Sequence, residues 1–130
     1  MKRTFNLLSL LIMAFSLLSQ TLVAESVLHP VDLRCEYLKN PLGIDRINPR
    51  LSWKLQAAPS AGRRLAQTAF QIQVAMTEQA LGSGKADRWD SGKVNSAQNN
   101  HVAYGGKPLE SRQWCWWKVR IWDQNAKASG

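Results

Sequence analysis

Trp114-Cys115-Trp116-Trp117-Lys118-Val119-Arg120-Ile121-Trp122-Asp123 is the stretch whose reading decides the fold. On an extended backbone, Cys115, Trp117, Val119 and Ile121 fall on one side, and Trp114, Trp116, Lys118, Arg120 and Trp122 on the other. A period of two, carried by aromatic and β-branched residues, belongs to a β-strand with one face in a core. The first side is the core side. The second interleaves three indoles with two cations, and two readings apply to it. It is either a sugar-stacking platform or a surface covered by a neighbouring domain, with Lys118 and Arg120 laid against the rings. Three exposed tryptophans form a large apolar patch, for which a partner is expected. The interdomain contact is favoured, because sugar sites add acidic and amide groups and this face has none.

Working outward from that strand, the same alternation recurs. Phe70, Ile72, Val74 and Met76 line one side of a second strand, with Gln71 and Gln73 opposite. Leu51, Trp53 and Leu55 oppose Ser52, Lys54 and Gln56, while Val31, Leu33, Cys35 and Tyr37 oppose Asp32, Arg34 and Glu36. Trp89 to Val94 and His101 to Tyr104 read as two shorter strands, and Thr77 to Leu81 as at most one helical turn. Asn40-Pro41-Leu42-Gly43, Asn48-Pro49 and Gly105-Gly106-Lys107-Pro108 punctuate the loops. About six strands joined by loops too short for crossover helices predict an antiparallel β-sandwich of the fibronectin-type-III or immunoglobulin kind. Gln124 to Gly130 reads as a turn with no partner strand after it. The sandwich is therefore expected to lack its last strand, to leave an exposed strand edge, and to be a fragment of a longer protein.

The N-terminus sets an expected compartment. Lys2 and Arg3 precede the apolar run Phe5 to Leu18, and Thr21-Leu22-Val23-Ala24 ends on a small residue before Glu25. Residues 1–24 read as a signal peptide, leaving 25–130 as one domain in the periplasm or outside the cell. The apolar run is shorter than the roughly 20 residues of a spanning helix, so no stable membrane insertion is expected after cleavage. The 17 basic residues, less Lys2 and Arg3, leave 15 against 9 acidic ones, a net +6. These charges are scattered singly apart from Arg63-Arg64, which reads as solvated surface rather than a nucleic-acid footprint.

No catalytic constellation appears. The carboxylates are dispersed without the paired spacing of a glycosidase, and Asp87 and Asp90, which flank Trp89, read as braces for the turn around Gly92. His29 and His101 have no ligand at metal spacing, and there is no phosphate loop or dinucleotide fingerprint. No catalytic, cofactor-binding or metal-binding residue is assigned. Cys35 and Cys115 are the only cysteines; export would permit a disulfide, and core packing as free thiols is the alternative. The order Cys35, Trp53, Cys115 is that of an immunoglobulin domain. However, Gln113 stands where that pattern has Tyr, and Cys35 lies on the first strand rather than the second.

An ordered set of motifs carries a family resemblance. Leu33-Arg34-Cys35-Glu36-Tyr37, Asn40-Pro41-Leu42-Gly43-Ile44-Asp45, Pro49-Arg50-Leu51-Ser52-Trp53 and Gln67-Thr68-Ala69-Phe70-Gln71-Ile72 come first. Trp89-Asp90-Ser91-Gly92-Lys93-Val94, Tyr104-Gly105-Gly106-Lys107-Pro108-Leu109 and Cys115 to Asp123 follow. Together they resemble the N-terminal domain of bacterial α-L-rhamnosidases over residues 28–130. The resemblance implies a β-sandwich preceding further β-domains and an (α/α)6-barrel, whose acidic residues remove terminal α-L-rhamnose with inversion. None of those residues falls in this chain. The implied role is a non-catalytic accessory domain whose partners are the remaining domains of the parent. The alternative is a stand-alone module that binds carbohydrate or protein.

Overall fold

A computed structural model describes residues 24–130, so the expected export signal lies almost wholly outside the described residues. Two three-stranded antiparallel sheets face each other. One has the order β1 (Leu28–Cys35), β2 (Arg50–Ala57), β5 (Val102–Ala103); the other has the order β4 (Trp89–Asp90), β3 (Gln67–Ala75), β6 (Trp116–Asp123). A single short helix, α1 (Glu78–Gly82), follows β3, and Thr77 caps it by accepting the Ala80 N–H.

The period-two readings of β3 and β6 place the core. Phe70, Ile72 and Val74 are buried opposite Ile121, Val119 and Trp117 in register, and Leu51 and Trp53 close the core from β2. Trp53 is only 3% exposed and meets Phe70 edge to face at 5.4 Å. Its indole Nε1–H donates to Gln67 Oε1 at 3.0 Å, while Gln67 Nε2 donates to the carbonyls of Ser96 and Gln98 at 3.2 and 2.9 Å. One buried amide thus ties β2 to β3 and suspends the 95–100 loop.

Three expectations need correction. The first strand does not alternate from Val31 to Tyr37: its pairing with β2 slips between Val31 and Arg34, where Asp32 takes φ 49, so Val31 pairs with the exposed Lys54 while Leu33 and Cys35 pack against the core as read. Tyr37 lies beyond the end of the strand, in a left-handed turn with Glu36, and is exposed at 53%. Met76 lies beyond the end of β3 and is 41% exposed instead of core. The segments around Trp89 and Val102 pair over two residues each. Asp90 turns back to accept the Gly92 N–H after β4, and His101 at φ 51 breaks the chain just before β5.

The turn after β6 also goes further than expected. Asp123 is fully buried and its Oδ1 accepts the N–H groups of Asn125 and Lys127 at 2.8 and 3.0 Å. Desolvation pushes its carboxyl up, yet these N–H donors with the Ser26 hydroxyl and the Val27 N–H outweigh it and hold the pKa low. The chain then reverses: Ala128 bridges Trp122, and Ser129 N–H donates to the Ile121 carbonyl at 2.9 Å. One isolated bridge thus lays the 128–129 backbone beside the end of β6.

Removing the Trp53 donor should expose how much rests on it. Trp53→Phe is expected to cost about 2–4 kcal/mol in chemical denaturation, from an orphaned Gln67 oxygen and a partial cavity, whereas Trp116→Phe should stay within about 0.5 kcal/mol. Equal losses would contradict this account of the core.

Candidate docking surface

Among the described residues, the exposed large hydrophobics are Tyr37, Leu38, Leu42, Ile47, Met76, Trp114 and Trp116. Strand register puts the strand ends that carry these seven at one end of the sandwich. β1 ends just before Tyr37, β2 begins just after Ile47, β3 ends just before Met76, and Ala75 pairs with Trp116 at the start of β6. The two sheets are joined at this same end. Tyr104 N–H donates to the Pro49 carbonyl, the Tyr104 ring meets Trp89 at 5.3 Å, and Trp89 pairs with Val74. Gly106 sits beneath this contact, where a methyl group would come within 2.5 Å of the Arg88 carbonyl oxygen. At the opposite end, Ser26 N–H donates to the Ala128 carbonyl beside the buried Asp123.

The row of five residues assigned on the outer side of β6 does not act as one platform. Trp114, at 65% exposed, and Trp116 belong to the apolar end. Trp122 lies six residues further along the strand, about 20 Å from Trp116, and Lys93 Nζ sits 4.8 Å from its ring centre. Lys118 leaves the rings and donates to the Leu81 carbonyl at 2.9 Å, tying β6 to α1. Arg120 is exposed and pairs with Gln71 across the ladder. The expected stacking of Lys118 and Arg120 on their own strand's indoles is replaced by a cation from the β4–β5 connection. The alternation placed these side chains on one face, but only tertiary contacts could divide them.

A second part of this surface was invisible in the sequence pattern. The loop between β1 and β2 carries Leu38, Leu42 and Ile47, with Leu42 89% exposed. Its base is clamped by Glu36, whose carboxylate accepts the Arg50 N–H at 2.6 Å and the Arg50 guanidinium at 2.8 Å, with Arg46 at 3.8 Å. The Glu36 N–H donates in turn to the Arg50 carbonyl. The Arg50 side chain, then its backbone N–H, lower the Glu36 pKa to about 2. Asp90 and Asp87 are also structural. Asp90 accepts from Gln71 and Gln73 at 2.7 and 2.8 Å, and Asp87 accepts the Met76 N–H at 3.0 Å.

Cys35 and Cys115 stand as free thiols packed against the core. Burial, helped by the neighbouring Glu36 charge, pushes Cys35 up to about 11, and burial also raises Cys115, so neither presents a thiolate near neutral pH. Among the described residues no group of His, Cys, Asp and Glu is arranged to hold a metal, and no helix is long and apolar enough to cross a membrane.

Because the folded Glu36 pKa lies below its ordinary value of 4.5, its pairing stabilises the fold above that value and is lost as pH falls towards about 2. Thermal melts between pH 5 and about 2 should show wild type losing stability more steeply than Glu36→Gln. Parallel curves would remove Glu36 as the clamp.

The Rha78A-like, N-terminal immunoglobulin domain model matches residues 30–130. The α-L-rhamnosidase of Streptomyces avermitilis is 46% identical over 94 residues, covering 72% of this chain and 9% of that protein. The α-L-rhamnosidase of Alteromonas sp. (strain LOR) is 42% identical over 90 residues, covering 69% of this chain and 10% of that protein. Among solved structures, the Streptomyces avermitilis α-L-rhamnosidase complexed with L-rhamnose superimposes with a TM-score of 0.72 at 40% identity, over 79% of this chain and 10% of that one. The α-L-rhamnosidase from Dictyoglumus thermophilum gives 0.73 at 40% identity, over 78% of this chain and 11% of that one. The chain spans about a tenth of the length of the curated relatives it matches. With its two antiparallel sheets and this match over nearly the whole described chain, the protein belongs to the family of Rha78A-like N-terminal immunoglobulin domains.

Proposed function

We propose that this chain is the non-catalytic accessory domain of an exported α-L-rhamnosidase-type glycoside hydrolase, and that its task is to seat its apolar end against the remaining domains of the parent. The observation that carries the reading is that the seven exposed large hydrophobics among the described residues attach to one end of the sandwich. Scattered apolar residues need no partner, whereas a gathered set marks an interface.

The partnered carboxylates are engaged in holding the fold, which leaves catalysis to residues elsewhere in the parent. Release of terminal α-L-rhamnose from glycosides is the reaction proposed for that parent. Export to the periplasm or the medium rests on the basic n-region, the apolar run and Ala24.

A chimaera tests the docking role: residues 30–130 replace the corresponding segment of the Streptomyces avermitilis α-L-rhamnosidase. It should hydrolyse a rhamnoside. Trp114→Ala with Trp116→Ala should destabilise the chimaera by about 2–4 kcal/mol, leave its KM within about twofold, and cost the separate chain less than about 1 kcal/mol. An equal cost in both settings would contradict docking through this end.

A further inference from the structure

The outward face of the β1–β2 sheet carries a cleft of about 320 Å³ that shares only Tyr37 with the proposed docking end. Asp32, Arg34, Ser52 and Lys54 line it, together with Tyr37 and the Asn99 to His101 segment. Asp32 is largely covered, and Lys54, Lys39 and Arg34 converge on its carboxylate at 2.9, 3.0 and 3.1 Å. One acid faces three cations here. Three cations against one carboxylate leave a local net +2. Such an excess draws an anion.

The uncharged groups point to what kind of anion. The side-chain amides of Asn99 and Asn100 and the hydroxyl of Ser52 have no hydrogen bond among the described residues, while Tyr37 and His101 present exposed rings 5.3 Å apart, joined by a bond between the Tyr37 hydroxyl and His101 Nε2. Free amides and a hydroxyl suit a polyhydroxylated ring, and aromatic faces suit its C–H surface. The volume lies at the small end of ligand sites, which span roughly 300–1,000 Å³, and so fits one sugar unit.

The backbone makes an independent case for a built site. Asp32, Tyr37 and His101 all line the cleft with φ of 49, 66 and 51. Left-handed backbone at non-glycine residues costs on the order of 1 kcal/mol each and collects where surrounding structure holds a functional geometry. The Trp53 N–H to Asn99 carbonyl bond, at 2.9 Å, fixes the wall of the cleft to the core.

We infer that this cleft binds a negatively charged sugar unit, a uronate or a sulfated residue, with Lys54 and Arg34 meeting the anion, Asn99 and Asn100 the hydroxyls, and Tyr37 and His101 the ring. The inference shares Tyr37 with the proposed docking end but does not rest on it, since Lys54, Ser52, Asn99 and Asn100 belong to the cleft alone and Trp114 and Trp116 to the docking end alone.

The test is an NMR titration of the full chain at low salt with methyl glucuronoside, methyl glucoside and inorganic sulfate. The uronoside should move the amide signals of Ser52, Asn99 and His101 with a Kd of about 1 mM, and the neutral glucoside and sulfate should each bind about tenfold more weakly. Lys54→Gln and Asn100→Ala, both at exposed positions, should each weaken the uronoside by about five- to tenfold with unchanged spectral dispersion. No cleft shifts at about 50 mM, or equal binding by Lys54→Gln, would overturn the site. Equal binding of the glucoside would overturn its anionic character, and equal binding of sulfate its saccharide character.

Discussion

The bond from the Trp53 indole N–H to the buried Gln67 side chain is the constraint on which the rest of the molecule depends. Hydrophobic burial alone would bring the two sheets together, but it is non-directional and would allow them to slide. Gln67 removes that freedom because its amide must satisfy both ends in a place without water, and it does so with β2 on one side and the Ser96 and Gln98 carbonyls on the other. The same group therefore sets the spacing of the sandwich and the position of the 95–100 loop. Everything hung from that loop inherits its rigidity, including Asn99 to His101 on the far side of β2.

From this centre the molecule is polarised. One end is closed by Asp123, whose buried carboxylate gathers backbone N–H groups and turns the chain back along β6, with Ser26 strapped across it. The other end is apolar and open, held in shape by the Glu36–Arg50 clamp and by the packing of Tyr104 against Trp89 over Gly106. A closed polar end and an open apolar end are what a terminal module of a longer chain requires, because its stability need not depend on its neighbours while its orientation does. The outward face of the β1–β2 sheet carries the charge that neither end uses.

Much of this was legible in the chain itself where the backbone is regular. Phe70, Ile72 and Val74, and Val119 with Ile121, alternate without interruption and are buried as read. The pattern failed where one residue was added. The bulge at Asp32 shifts the phase of β1 between Val31 and Leu33, Tyr37 falls in the left-handed turn after the strand, and no propensity of Asp announces a bulge of that kind at that place. The cleft was missed for a related reason. Its walls come from three segments, 32–37, 52–54 and 99–101, brought together by the β1–β2 pairing and the Asn99 to Trp53 bond, and single-sequence spacing cannot see them. On β6 the alternation set Trp116, Lys118, Arg120 and Trp122 apart from the buried Val119 and Ile121, with Trp114 just before the strand, yet only the positions of Lys93 and Leu81 separate Trp122 and Lys118 from Trp116.

Oxidative footprinting of tryptophan tests the central claim most directly, by comparing this chain alone with the same residues followed by the remaining domains of a rhamnosidase relative. If the apolar end is the docking surface, Trp114 and Trp116 should be oxidised readily in the chain alone and fall by about tenfold in the longer protein, while Trp122, under Lys93, changes little. Equal oxidation of Trp114 and Trp116 in both proteins would contradict the account and leave the gathered hydrophobics without the partner proposed for them.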